Sequence, residues 1–345
     1  MKKIRWGILG LGNIAKTFAD STRPVKNASV LAVASKSLKK ITQFKEEYNI
    51  SSGFCFNNYS ALLQCEEIDA VYIALPNHLH AEWISQCINF EKHILVEKPA
   101  VISVDQLKIV QDKLIQHNLV FSEAFMYLHH PRMQMLLARI KDGMIGKPLG
   151  MRSSFGFEVF LKPSPLQRVL SCYKSKPLHL SKRHGGGCIL DLGCYLTSFA
   201  TLLSKLSNAG TEPSFSFQNM NSTFDKQEVE VDASTTISFD NGFSSEIRCS
   251  FIEHLGQTTK IWGDNGEVRL ENTWTCQSDG FWHEKKYFES QKPSLFDNPY
   301  SFQVHNLSEL ILRKKQGEFV DPFFGIQDSL YNAKILDFWR SSTTV

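Results

Sequence analysis

Three stretches of this 345-residue chain carry residue types spaced for chemistry. The first is Glu97-Lys98-Pro99, which closes an apolar run from His93 to Val96. A lysine leaving the carboxyl end of a buried strand sits in a partly dry crevice. There its ammonium can hold a substrate oxygen or lower the pKa of a neighbouring acid. A surface lysine that merely ends a strand has the same local sequence. Pro99 fixes the turn and is a candidate for a cis bond. The second stretch is Gly185-Gly186-Gly187 followed by Cys188 to Tyr195, in which Asp191 and Tyr195 stand four residues apart. On a helix continuing to Leu203 that spacing puts carboxylate and phenol on one face. Such a pair suits hydroxyl/carbonyl redox work: the phenol passes a proton and the carboxylate orients the substrate. A buried tyrosine beside a helix-capping aspartate is the plainer alternative. The third stretch is Gly10-x-Gly12-x-x-Ala15, directly after the apolar run Ile4, Trp6, Ile8, Leu9. Gly10 permits a tight turn, Gly12 lets a pyrophosphate approach the backbone, and Ala15 lets the next helix lie close to a sheet. The helix N-terminus then supplies N–H groups and partial positive charge, which makes this a dinucleotide signal.

The elements that must hold these groups read as two kinds. In the first third, buried parallel strands alternate with helices: Ala28–Ala34, Phe54–Phe56, Asp69–Leu75, His93–Glu97 and a sixth strand at Val120 and Phe121. Helices are predicted around Ser60–Gln64 and Ala81–Phe90. The second strand ends at Ser35-Lys36, where an NAD-binding protein usually places an acidic residue on the ribose hydroxyl. A hydroxyl and an ammonium hold a 2′-phosphate that a carboxylate would repel, so NADP(H) is preferred over NAD(H). Lys36, Lys39 and Lys40 also fit the solvated face of a helix whose core side is Ile41, Phe44 and Tyr48. The fourth strand runs into Leu75-Pro76-Asn77 and His80, a loop at the ligand-binding edge of the sheet.

From about Met126 the alternation stops. One helix is predicted over Pro131–Lys141 and a strand over Leu149–Phe157. Further strands follow at Ser214–Met220, Ala233–Phe239, Ser244–Phe251, Thr258–Gly263, Glu267–Asn272 and Gly280–Phe288. Asp240-Asn241-Gly242 and Asp264-Asn265-Gly266 are hairpin signals, so this half is mainly an antiparallel sheet. Helices near Tyr300–Lys315 and Gly325–Ser341 close the chain. The fold class is therefore α/β: a Rossmann domain over 1–125, then an α+β domain over 126–345 with an open, mostly antiparallel sheet.

Composition bounds the partners. Lysine and arginine number 38 against 35 acidic residues, a net charge of +3, and no basic block argues for nucleic acid. The eight cysteines show neither CxxC pairing nor metal-ligand spacing, which fits reduced thiols. With no targeting signal and no apolar span of about 20 residues, a cytoplasmic protein without a membrane segment is expected. A metal site is not expected, because no acid/histidine cluster has ligand spacing.

Taken in order, these motifs resemble the Gfo/Idh/MocA oxidoreductases. The match runs from GLGNIA through Pro76-Asn77 with His80, Glu97-Lys98-Pro99, Glu123-Ala124-Phe125-Met126-Tyr127 and GGGCILDLGCY to the closing helices. Tyrosine at 195 is similar to the branch of dimeric dihydrodiol dehydrogenase, NADP-dependent xylose dehydrogenase and glucose–fructose oxidoreductase. The resemblance implies Lys98 and Tyr195 as the catalytic pair meeting over one nicotinamide face, with Asp191 on the substrate. It implies cofactor contacts from Gly10, Gly12, Ser35, Lys36 and Asn77, to which Asn13, Ile14, Leu75, Pro76, His80, Glu97 and Lys98 are added. The substrate implied is a sugar, cyclic polyol or trans-diol. A sugar-nucleotide ketoreductase and a non-catalytic NADP-sensing regulator are the rivals. A homodimer or higher oligomer through the second domain's sheet is expected, with an exposed apolar face needing cover. Two departures stand out. Leu128 occupies a position where the branch has arginine. The segment 162–184 is basic through Lys162, Arg168, Lys174, Lys176, Lys182 and Arg183, with His179 and His184, and could clamp a phosphorylated or nucleotide-linked sugar.

Overall fold

The structure, a computed structural model, describes residues 2–158, 181, 184–207, 212–291, 296 and 298–343. The chain divides into two compact units, Met1–His130 with Lys292–Leu330, and Pro131–Gln291 with Tyr331–Val345.

The first unit alternates β1 (Ile4–Leu9), α1 (Asn13–Thr22), β2 (Ala28–Ala34), α2 (Leu38–Tyr48), β3 (Cys55–Phe56), α3 (Tyr59–Leu63) and β4 (Ala70–Ile73). It continues through α4 (His80–Asn89), β5 (His93–Val96), α5 (Val104–Gln116) and β6 (Phe121–Glu123). Every strand pair is parallel, in the order β3-β2-β1-β4-β5-β6. The near-continuous apolar strands fit a sheet covered on both faces. Strand order reverses between β1 and β4, which opens a crevice at their carboxyl ends. Helix α5, not among the expected elements, buries Leu107, Val110 and Leu114 at helical spacing.

The second unit contains α6 (Pro131–Lys141), β7 (Pro148–Gly156), a π-helical turn (Ile189–Gly193) running into α7 (Cys194–Leu206), then β8 (Phe215–Phe224), β9 (Glu230–Phe239) and β10 (Ser244–Ser250). It ends with β11 (Thr259–Gly263), β12 (Gly266–Leu270), β13 (Gly280–His283) and β14 (Lys286–Glu289). The eight strands lie in the order β14-β13-β12-β11-β7-β10-β9-β8, and only β7 and β10 pair in parallel. The strand expected over Gly280–Phe288 is a hairpin that turns at Glu284, in the left-handed region at φ 51°. The stretch Ile189–Leu206 is long and apolar enough to cross a membrane, but 78% of it is buried inside the protein, as befits a core helix.

Two helices complete the chain, α8 (Pro299–Lys315) and α9 (Ile326–Ser342), the latter running from the first unit into the second. The expected continuous domain over 126–345 is thus interrupted. Val304, Leu307 and Ile311 of α8 share a core with Ile4, Trp6 and Phe18, and Trp6 Nε1 donates to Ser308 Oγ at 3.0 Å. An apolar stripe needs a core to cover, and here that core belongs to β1 and α1.

The outer sheet face of the second unit also differs from expectation. Along β9, Val231, Ala233, Thr235, Ile237 and Phe239 point inward, while Asp232, Ser234, Thr236 and Ser238 are half-exposed. Ion pairs cross this face: Arg152 to Glu246 at 2.7 Å, Arg248 to Asp232 at 3.0 Å, and Lys260 to Glu267 at 2.6 Å. The face is polar, not apolar.

Candidate active site

In the first unit, β1 ends at Gly10, whose φ of +88° favours glycine; a Cβ there would stand 2.5 Å from the Ala74 carbonyl oxygen. Gly12 serves as N-cap of α1 without a side-chain cap, and no atom lies within 4 Å of where its Cβ would be. Beside Gly12 and Asn13 lies a cavity of about 590 Å³, also lined by Lys16, Lys40 and Phe44. An open glycine turn over helix amides without a side-chain cap fits a dinucleotide phosphate; the cavity beside it also carries Glu46 and Glu47, the latter paired with Lys16 at 2.9 Å. Ser35 is buried and its hydroxyl accepts from the Ser37 N–H at 3.2 Å; Lys36 is exposed. Ile14 and Asn77 are partly exposed, and Asn77 opens a short turn after Leu75-Pro76 at the end of β4.

Lys98 leaves the end of β5, half-buried, and the Lys98–Pro99 bond is cis. Glu97 accepts from the Tyr72 hydroxyl and, at 3.3 Å, from the Lys98 N–H. His80, expected at the cofactor, is fully buried, with Nδ1 2.9 Å from the Pro99 carbonyl and Nε2 2.7 Å from that of Leu75. Carbonyls only accept, so a neutral imidazole with its single N–H satisfies one of them at a time. Burial pushes its pKa down. His80 therefore lies between the loops that follow β4 and β5. Glu123, at the end of β6, accepts from the Ala100 N–H and from the Ser329 hydroxyl, each at 2.8 Å. Burial pushes its carboxyl up to about 7; the two hydrogen bonds pull the other way.

In the second unit, Gly185 and Gly187 take φ of +73° and +118°, and a Cβ on Gly187 would meet Glu230 Oε2 at 2.3 Å. The turn then winds as a π-helix, a form frequent at functional sites. Asp191 is half-exposed within it, and Tyr195 follows one turn on in α7 with 8% of its surface exposed. The Tyr195 ring packs edge-on against Phe155 at 5.5 Å and beside Trp274 at 6.0 Å, which fixes its plane. A fixed phenol with a carboxylate one turn away can exchange a proton with a substrate oxygen while the carboxylate holds a neighbouring hydroxyl.

Asp191 and Tyr195 are thus brought onto one helical turn, and Lys98 onto the strand edge that carries the glycine turn and Asn77. Of the basic stretch, Lys162, Arg168, Lys174, Lys176, His179, Lys182 and Arg183 lie outside the described residues; His184 Nδ1 sits 2.7 Å from the Ser181 hydroxyl. Nothing in the sequence assigns a role to Tyr72, Glu123 or Arg132. The Arg132 guanidinium is buried and donates to the carbonyls of Glu271, Asn272 and Thr273. Leu128, at the departure from the branch pattern, is buried as well.

Comparison with known proteins agrees with this fold. Residues 4–125 match the oxidoreductase family with an NAD-binding Rossmann fold, GFO/IDH/MocA, and residues 133–269 match the C-terminal domain of the same family. A trans-1,2-dihydrobenzene-1,2-diol dehydrogenase from Xenopus tropicalis is 24% identical over 96% of each chain. A D-xylose 1-dehydrogenase (NADP(+)) from Haloferax volcanii is 29% identical over 76% of this chain and 74% of its own. A 3-ketoreductase from Actinomadura kijaniata, solved with NADP and TDP-benzene, has the same fold, with a TM-score of 0.78 at 22% identity over 99% of this chain and 98% of that one. Both halves of the chain therefore place it in one family: it belongs to the Gfo/Idh/MocA oxidoreductases.

Proposed function

We propose that the chain is an NADP(H)-dependent oxidoreductase that interconverts a hydroxyl and a carbonyl on a sugar, cyclic polyol or trans-diol, with Lys98, Asp191 and Tyr195 as its reacting groups. Gly10, Gly12, Asn13, Ile14, Leu75, Pro76 and Asn77 hold the dinucleotide, and Ser35 with Lys36 favours a 2′-phosphate over a free ribose hydroxyl. The bound nicotinamide supplies or accepts the hydride. Tyr195 gives or takes the proton at the substrate oxygen, and Lys98 favours its phenolate form by charge, which brings proton transfer nearer neutral pH. Asp191 accepts a hydrogen bond from a neighbouring substrate hydroxyl. The observation that carries the reading is the packed phenol one turn beyond a carboxylate, behind a glycine triplet whose last member, Gly187, has no room for a side chain beside Glu230. A non-catalytic sensor has no use for a proton-transfer pair. The reading includes a cytoplasmic location and a homodimer through the second unit's sheet, whose charged outer face would pair by polar contacts.

Tyr195→Phe tests it. The variant keeps NADPH binding, measured by fluorescence titration, and loses turnover by about 10²–10⁴-fold, the usual contribution of a general acid–base group. Unchanged turnover in that variant would remove Tyr195 from the reaction.

A further inference from the structure

Two buried polar side chains of the first unit, His80 and Glu123, have no part in the reaction proposed above. They meet at one peptide group. The Pro99–Ala100 peptide presents its carbonyl oxygen to His80 Nδ1 at 2.9 Å and its N–H to Glu123 Oε1 at 2.8 Å. His80 is 0% and Glu123 2% exposed. Glu123 has a second anchor on another element, and His80, with a single N–H, faces a second carbonyl that it can engage only in its other tautomer. His80 Nε2 faces the Leu75 carbonyl after β4 at 2.7 Å, and Glu123 Oε2 accepts from Ser329 on α9 at 2.8 Å. A peptide held at both polar ends by buried side chains is polarised and fixed in its plane. This peptide begins one residue after Lys98.

We propose that Glu123, together with His80, is a positioning residue for Lys98. By gripping the Pro99–Ala100 peptide from both sides, the pair sets the direction in which the lysine leaves β5. The consequence for turnover rests on the catalytic reading of Lys98; the grip itself does not. Glu123 acts through reach, not charge. Its protonated form still accepts from Ala100 through one oxygen and donates to Ser329 through the other.

Two variants separate reach from charge. Glu123→Gln keeps the length and offers an amide oxygen to Ala100 and an N–H to the Ser329 hydroxyl. Glu123→Asp keeps the charge but is one methylene shorter and cannot span both partners. Two readouts need no ligand: hydrogen exchange at the Ala100 amide, and acetylation of Lys98 by acetic anhydride, followed by peptide mass spectrometry. In the Asp variant, Ala100 exchange should quicken by about 100-fold. Lys98 acetylation should change by about threefold or more while the other lysines keep their rates. In the Gln variant Ala100 stays protected. With D-xylose and NADP⁺, kcat should fall by about 10–100-fold in the Asp variant and stay within about threefold in the Gln variant. The KM for D-xylose and the Kd for NADPH should move by less than about twofold in either. Parent-like Ala100 protection and Lys98 acetylation in Glu123→Asp would overturn the proposal, as would equal loss in both variants. Absence of D-xylose oxidation by the parent protein would count against the substrate reading, and the two ligand-free readouts would still decide the grip.

Discussion

Replacing Glu123 by glutamine should stabilise the protein at alkaline pH and leave it unchanged at acid pH. A glutamate carboxyl normally titrates near 4.5, and burial lifts this one to about 7. The raised value means that the native state holds its proton over a window in which the unfolded chain has already lost it. The stabilisation linked to that proton is complete below about pH 4.5 and is lost as pH rises through about 7. From the two values the loss amounts to about 3 kcal/mol at pH 8. Glutamine imitates the protonated carboxyl toward Ala100 and Ser329 and does not titrate. His93 and His129 are linked in the opposite sense. Burial holds them near 4 and 3, so the stability of their neutral forms is present above about pH 6.5 and lost as pH falls through those values. Both histidines are common to parent and variant, so their contributions cancel in the difference. Thermal unfolding of parent and Glu123→Gln at pH 5 and pH 8 reads that difference. The variant should melt about 5–10 °C higher at pH 8 and within about 2 °C at pH 5. A variant less stable at pH 8, or a gap that does not grow with pH, would refute the reasoning.

The two fingerprint glycines should separate fold from cofactor. Gly12→Val faces open space, so melting should change by less than about 2 °C while the Kd for NADPH weakens by about tenfold or more; Gly10→Val meets the Ala74 carbonyl and should destabilise by about 2 kcal/mol or more. Calorimetry and fluorescence titration on both variants check this. Arg132→Met removes the donors to three backbone carbonyls and should cost about 3–5 kcal/mol in urea unfolding, with NADPH affinity unaltered.

What was legible in the sequence was local. The strand–glycine–helix fingerprint, the asparagine–glycine hairpins and helix α6 depend on neighbours within a few residues, and those elements formed where composition placed them. The turn between β13 and β14 was hidden because Glu284 and Lys285 carry no turn chemistry. The membership of α8 in the first unit was hidden for another reason: an apolar stripe says that a helix is covered, not by which core. Burial of a polar residue is equally silent. His80, Glu123 and Arg132 look like surface residues in the chain, and most of their partners come from segments 19 to 206 positions away. The polar outer sheet face was readable, since Asp232, Ser234, Thr236 and Ser238 alternate with the inward apolar positions. The π-turn at Asp191 was not, because four-residue spacing fits an α-helix as well.

Absorbance at 340 nm tests the central claim most directly. Purified protein is given NADP⁺, and in parallel NAD⁺, with a panel of pentoses, hexoses, inositols, trans-diols and UDP- or TDP-linked sugars. The account predicts NADPH formation with at least one neutral sugar, polyol or diol, faster with NADP⁺ than with NAD⁺ and abolished in Tyr195→Phe and Lys98→Met. Turnover that survives both substitutions, or NADPH binding without turnover on any member of the panel in either direction, would contradict it.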